Sequence, residues 1–202
     1  MKHWLALCTV VCAVQLAAQD NDAESEQTSI EAFATLTNSS CLSLATGRAT
    51  IGSSVEDDLS TVESFGFVYG INGPLYERFG QQGQGVLNRA IMGHQSVGSD
   101  DIVLAVGGAL PGCKVIFLSD DTEGLADPVA DAFTQAEESW KELPFAETRP
   151  GSTVQKRSFL HRDASGEPFL LNLIYPFVPD SDIRIVATVS RVPPTVRIPE
   201  GF

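Results

Sequence analysis

The chain has 202 residues, with 26 Asp and Glu against 13 Lys and Arg and a net charge of −13. So acidic a surface repels phosphate backbones and anionic headgroups, which argues against nucleic-acid binding. The length suits one domain with a proper core, and the 43% hydrophobic content can fill it.

Met1 and Lys2 open the chain and an apolar run follows from Trp4 to Leu16, broken only by Thr9 and Gln15. The small pair Ala17-Ala18 then leads into Gln19-Asp20-Asn21-Asp22. A basic start, a short apolar run and a small-residue exit read as a secretory signal over 1–18, cleaved after Ala18. The run is too short to span a bilayer, which takes about 20 apolar residues. Neither Cys8 nor Cys12 has a lipoprotein context. The chain is therefore expected to be exported and not inserted in a membrane, with the periplasm as the expected compartment and the medium as the alternative. Residues 19–28 contain almost nothing to bury and read as a disordered acidic spacer.

A single α+β domain is expected over 29–192. Thr28 and Glu31 have capping-box spacing, and Ile30, Phe33, Ala34, Thr37, Cys41, Leu44 and Ala45 recur at helical steps until Gly47. Asn38-Ser39-Ser40 within this helix matches a glycosylation sequon. Ser53 with Glu56 caps a second helix in which Val55, Leu59 and Val62 share a face before Gly66. One helical turn is expected at Leu75 to Phe79. Gly80-Gln81-Gln82-Gly83-Gln84-Gly85 lacks the Lys-Ser/Thr of a phosphate-binding loop and reads as a flexible connector.

Three strand-like runs follow, Val86 to Met92, Ile102 to Val106 and Cys113 to Leu118, with turn signals between them. Asp127 as cap and Pro128 at the first helical position start a third helix, with Val129, Phe133, Ala136 and Trp140 as its stripe and Pro144 beyond its end. Three more strands are expected at Thr153 to His161, Phe169 to Tyr175 and Ile183 to Val192. Asp163-Ala164-Ser165-Gly166 and Pro179-Asp180-Ser181-Asp182 form the turns between them. The sum is two N-terminal helices, a three-strand meander, a helix and a second three-strand meander. They form a largely antiparallel sheet with helices on one face. Residues 193–202 read as an extended Pro-rich tail that leaves the sheet.

Cleavage of the leader leaves Cys41 and Cys113, which an oxidising compartment is expected to join as a structural disulfide. No Cys-x-x-Cys spacing points to redox work. Of the histidines left, His94 sits in the Gly-flanked segment Met92 to Gly98, read as a polar loop. An enzyme reading makes His94 the base, Asp100 or Asp101 its orienter and Ser96 or Ser99 the nucleophile, but no nucleophile-elbow spacing supports it. His161 ends a strand, and two histidines alone do not set out a metal site. The acidic groups Glu56-Asp57-Asp58 and Asp120-Asp121 with Glu123 lack calcium-loop spacing and suit helix starts. No motif implies a cofactor.

The run Phe169 to Tyr175 is apolar on both faces, so Phe169, Leu171, Leu173 and Tyr175 are candidates for an interaction surface. The favoured function is a non-catalytic binding or accessory domain whose partner is an envelope protein or a small ligand. The alternatives are a hydrolase centred on His94 and an inhibitor or stress-related envelope protein.

Overall fold

A computed structural model describes residues 27–52, 54–108, 112–120, 124–136, 140–144, 154–176, 181–198 and 202. The expected leader, and the spacer up to residue 26, lie outside the described residues. Residues 27–37 are helical and run on through a π-helical segment Asn38–Leu42 and a last turn Ser43–Thr46; together these are α1. Helicity thus begins at Gln27, inside the expected spacer. Gly47, at φ 75°, ends the rod in the left-handed region that glycine adopts without strain.

The remaining helices are α2 (Val55–Ser64), α3 (Gly73–Glu77), α4 (Gly80–Leu87) and α5 (Ala126–Gln135). The strands are β1 (Val68–Tyr69), β2 (Ala90–Val97), β3 (Asp100–Gly107), β4 (Cys113–Leu118), β5 (Lys141–Glu142), β6 (Val154–Arg162), β7 (Pro168–Pro176) and β8 (Ile183–Arg191). They form one eight-stranded sheet in the order β1-β2-β3-β4-β8-β7-β6-β5, with every pair antiparallel.

The α+β class and the antiparallel sheet match expectation, but the arrangement of two three-strand meanders does not. The two-residue strands β1 and β5 extend the sheet at its two outer edges. Such short edge strands give no periodicity to read, and they leave little ladder for another chain to join. The expected first strand at Val86 to Met92 shifts to Ala90–Val97, because Leu87 still belongs to α4.

Helices lie on both faces, not on one. The front face packs Ile102, Leu104, Val115, Phe117, Phe159, Leu171, Leu173 and Ile185 against Ile30 and Phe33 of α1, Val62 of α2 and Val129 and Phe133 of α5. Phe33 contacts the Phe117 and Phe133 rings, with centroids 5.5 and 6.0 Å apart. The back face carries a smaller core in which Leu75 and Phe79 of the α3 region and Leu87 of α4 cover Val103, Ala105, Ile116, Leu118 and Ile183.

The expected glycine-rich connector is therefore a packed helix. A Cβ on Gly83 would lie 2.8 Å from Ile183 Cδ1, so glycine there lets α4 approach the sheet. Gly93 does the same on the front, where a Cβ would meet Val62 Cγ1 at 2.5 Å and Phe67 Cβ at 2.9 Å.

Two helix starts also differ. In α2 the cap is Ser54, whose Oγ accepts from the Asp57 N–H, while Ser53 lies outside the described residues. Val55 is 73% and Leu59 38% exposed, so of the expected stripe only Val62 is buried, beside Asp58. The carboxylate of Asp58 accepts from the Gly52 N–H at 2.7 Å, a contact that hydrophobic periodicity does not show. In α5 the residue before the helix is Leu125, with no side-chain cap, and Asp127 lies inside the first turn. Helix α5 ends at Gln135, so Trp140 is not on it. Trp140 is nevertheless buried, and its Nε1–H donates to Asn38 Oδ1 at 2.9 Å.

The π-helical segment of α1 carries both Asn38 and Cys41, which bonds Cys113 at the start of β4 with the Cα atoms 5.3 Å apart. The widened turn sets two inward contacts, one to each half of the sheet. Asn38 is 7% exposed and engaged by Trp140, so the sequon is not presented to solvent.

Candidate functional site

Strand β2 carries His94 and Ser96 on the back face, and the register places Ser96 opposite Asp101 of β3. The loop expected around His94 is therefore strand. His94 Nδ1 lies 2.7 Å from the Gly70 carbonyl oxygen. A carbonyl only accepts, so Nδ1 carries the proton of this bond and the ring is held against the chain beyond β1. Ser96 Oγ donates to Asp101 Oδ1, and Asp101 Oδ2 accepts from Arg78 at 2.6 Å. Asp100 projects to the opposite face and is 6% exposed, while Ser99 sits in the exposed β2–β3 turn.

Of the proposed catalytic set, the structure brings only Ser96 and Asp101 into contact. His94 is bonded elsewhere, and Ser96 faces a carboxylate already engaged by a guanidinium. His161 lies on the front face of β6 with its ring centroid 5.3 Å from that of Trp140. The two histidines occupy opposite faces of the sheet and do not converge. Among the described residues no group of three His, Cys, Asp or Glu side chains is placed to hold a metal ion.

The charged groups instead form two arginine hubs. Arg78, just past α3, donates to Asp182 at 2.7 Å, Asp101 at 2.6 Å and Asp120 at 2.9 Å, and so ties together three sheet segments. Its pKa is raised: burial opposes the charge, but the bonds to Asp182 and Asp101 outweigh it. Asp120, expected to serve a helix start, belongs to this hub, while Asp121 and Glu123 lie outside the described residues. Arg157, on the front face of β6, makes a two-pronged contact with Glu142, both bonds 2.7 Å, and a third bond to Asp127 at 2.8 Å. The Glu142 bonds raise its pKa further above the ordinary range. Tyr175 closes this cluster by donating to the Ala126 carbonyl, and burial pushes its phenol up. Both hubs clamp helix ends to strands; neither surrounds an empty position.

Phe169, Leu171 and Leu173 are fully buried on the front face, so these three candidate surface residues are core. Tyr175 is half-buried in the Arg157 cluster. Sequence reasoning missed the alternate row of the same strand. Leu170, Asn172 and Ile174 point to the back face and are half-buried.

The register aligns three rows across that back face. One contains Ile116, Val186, Ile174 and Lys156; the next Lys114, Thr188, Asn172 and Ser158; the third Ser190, Leu170, Leu160 and Lys141. Ser158 Oγ donates to Asn172 Oδ1 at 2.9 Å within the polar row. Lys114 is 5% exposed, and its desolvation lowers its pKa. The back-facing positions of β4 to β8 hold Lys114, Lys141, Lys156 and Arg162 and, among the described residues, no carboxylate. Only a tertiary register could assemble these rows, since each takes one residue from each of several strands distant in sequence.

The tail does not simply leave the sheet. Val192 donates to the Pro168 carbonyl, Val196 to that of Pro193, and Phe202 sits beside Lys141 with Nζ 4.5 Å from the ring centroid. Arg162 also donates to the Phe202 carbonyl at 3.3 Å. A groove between α1 and α5, lined by Gln27, Glu31, Thr35, Asp131 and Gln135, is acidic and built from helix surfaces alone.

No helix among the described residues is long and apolar enough to cross a membrane. No protein-family model, no curated protein and no solved structure matches the chain.

Proposed function

We propose that the chain is an exported, disulfide-stapled domain that works by binding rather than by catalysis. Its contact surface is the back face of β6, β7 and β8. The leader-like first eighteen residues support export, and the Cys41–Cys113 bridge suits an oxidising compartment. One observation carries the binding reading: the back-facing rows of β7 and β8, Leu170-Asn172-Ile174 and Val186-Thr188, stay half-buried, whereas Ile102 to Ala105 of β3 and all of β4 are buried on both faces. Half-buried aliphatic side chains beside hydrogen-bonding groups are the usual lining of a recognition surface. The groups needed for a His94-centred hydrolase are in turn committed to Gly70, Asp101 and Arg78.

The test is retention of a partner or ligand from the native envelope fraction by the chain as its host produces it. Ile174→Asp should abolish that retention and His94→Ala should leave it intact. A hydrolytic activity that His94→Ala removes, with fold and disulfide preserved, would overturn the reading, since losing a general base costs about 10² to 10⁴ in rate.

A further inference from the structure

We propose that the groove between α1 and α5 is a binding site for an unbranched aliphatic polyamine. Its ammonium groups meet Glu31 and Asp131, and its methylene spacers lie over the alanines between the two helices. The site is separate from the back face of the sheet and does not depend on the reading of that surface.

The negative charge of the chain is concentrated around these two helices. Residues 19–47 and 115–140 hold twelve of the 26 Asp and Glu and none of the 13 Lys and Arg, so the rest of the chain has 14 acidic against 13 basic residues. Two of the twelve are already neutralised, Asp120 by Arg78 and Asp127 by Arg157. Glu31 and Asp131 are exposed and, among the described residues, enter no ion pair. Glu31 accepts from the Gln27 amide at 2.8 Å through Oε1, which leaves Oε2 for a ligand. No Lys or Arg is among the described residues that line the groove. A groove with this charge distribution attracts cations and repels anions.

Its shape favours an elongated cation. The cavity measures about 600 Å³, within the range of small-ligand sites. Ala34 and Ala132, which belong to or pack on the front core, form its floor, and the exposed side chains of Glu31, Thr35, Asp131 and Gln135 form its walls. From Gln27 to Thr35 the helix rises about 12 Å. The terminal nitrogens of extended spermidine are about 11 Å apart. The alanine methyls give methylene groups an apolar contact, and the oxygens of Thr35 and Gln135 can accept from an ammonium beside them. A compact metal ion matches the groove less well, because among the described residues no three His, Cys, Asp or Glu side chains converge. Two carboxylates on separate helices suit charges that are themselves spaced along a chain. A bound helix of the same length, about 10 Å across, would overfill the cavity.

The experiment is calorimetric titration of the purified chain with spermidine, with magnesium chloride, butylamine and a lysine-rich peptide as comparison probes. Spermidine should bind at one site, more weakly as salt rises, and more tightly than magnesium or butylamine. Glu31→Gln and Asp131→Asn should each weaken it about two- to fivefold, and together about tenfold, as exposed ion pairs allow. Gln135→Lys, which puts a cation into the groove, should abolish it. Glu63→Gln removes the same charge from an exposed position on α2 and should change nothing, as should Ile174→Asp on the back face. Thermal unfolding of each variant establishes that it is folded.

Absence of spermidine binding overturns the proposal. Binding that Glu31→Gln and Asp131→Asn leave unchanged, that Glu63→Gln weakens equally, or that magnesium or butylamine matches overturns it as well, since the affinity then has no site of this shape behind it. Tighter binding of the lysine-rich peptide, lost in the double variant, assigns the groove to a protein ligand and overturns the polyamine class.

Discussion

The two four-strand halves of the sheet are closed in different ways. Strands β2 to β4 lie between α1 and α2 on the front and α3 and α4 on the back, and their central positions are buried on both sides. Among the described residues, strands β6 to β8 have a helical layer only on the front, and their back-facing side chains mix half-buried Leu170, Asn172, Ile174, Val186 and Thr188 with buried Leu160 and exposed Lys156. A sheet built from two meanders joined at β4 and β8 can thus assign one half to stability and leave a surface on the other.

The largest expected effect concerns the bridge that holds α1 over both halves. It closes a span of 72 residues, and Cys113→Ser is expected to lower unfolding free energy by about 4 kcal/mol, read from denaturant midpoints. Hydrogen exchange should quicken in α1 and β4 before it does so on the back face. Uniform quickening would remove α1 as the separate front layer.

The sharpest test uses neighbours in β7. Leu173 is fully buried and Ile174 half-buried, so Leu173→Ala should cost about 2–5 kcal/mol. Ile174→Ala should cost about 1 kcal/mol or less. Equal losses in thermal unfolding would mean that the back of the second half is core after all.

Gly93→Ala probes the tightly closed half, where the added methyl would press on Val62, Phe67 and the Val68 carbonyl. Overpacking should cost about 1–3 kcal/mol, measured by denaturation. A neutral outcome would show that α2 can shift away from β2.

The smallest effect belongs to the β6–β7 hairpin. The Asp163 carboxylate accepts from the Ser165 hydroxyl and the Glu167 and Ser165 N–H groups, which hold its pKa below the ordinary 3.8. A depressed carboxylate contributes stability that is present above its unfolded pKa and is lost as pH falls through its folded one. The difference in Tm between wild type and Asp163→Ala should therefore be present at neutral pH and be lost as the pH falls through the lowered pKa of Asp163. A difference that persists at lower pH would assign the effect to turn geometry rather than charge.

The legible parts of the chain were those with strong local signals. The paired cysteines, the Asp163 turn and the cores of β3, β4, β7 and β8 follow from composition and alternation within single segments. The His94 segment read as a loop because its glycine and polar residues lower strand propensity. Pairing with β3 and the space that Gly93 leaves for Val62 make it strand nonetheless. The glycine-rich segment 80–85 was misread for the same reason: its glycines serve close helix packing on Ile183 rather than flexibility.

By itself the sequence determined the class of the fold, the disulfide partners and the alternation of the long strands, because each rests on chemistry carried within a segment or on a lone pair of thiols. The tertiary structure alone decided which row of β7 is core, that helices cover both faces, and that Lys156, Ile174 and Val186 stand in line. Burial and cross-strand alignment depend on register between segments far apart in the chain, and local periodicity holds no record of that register.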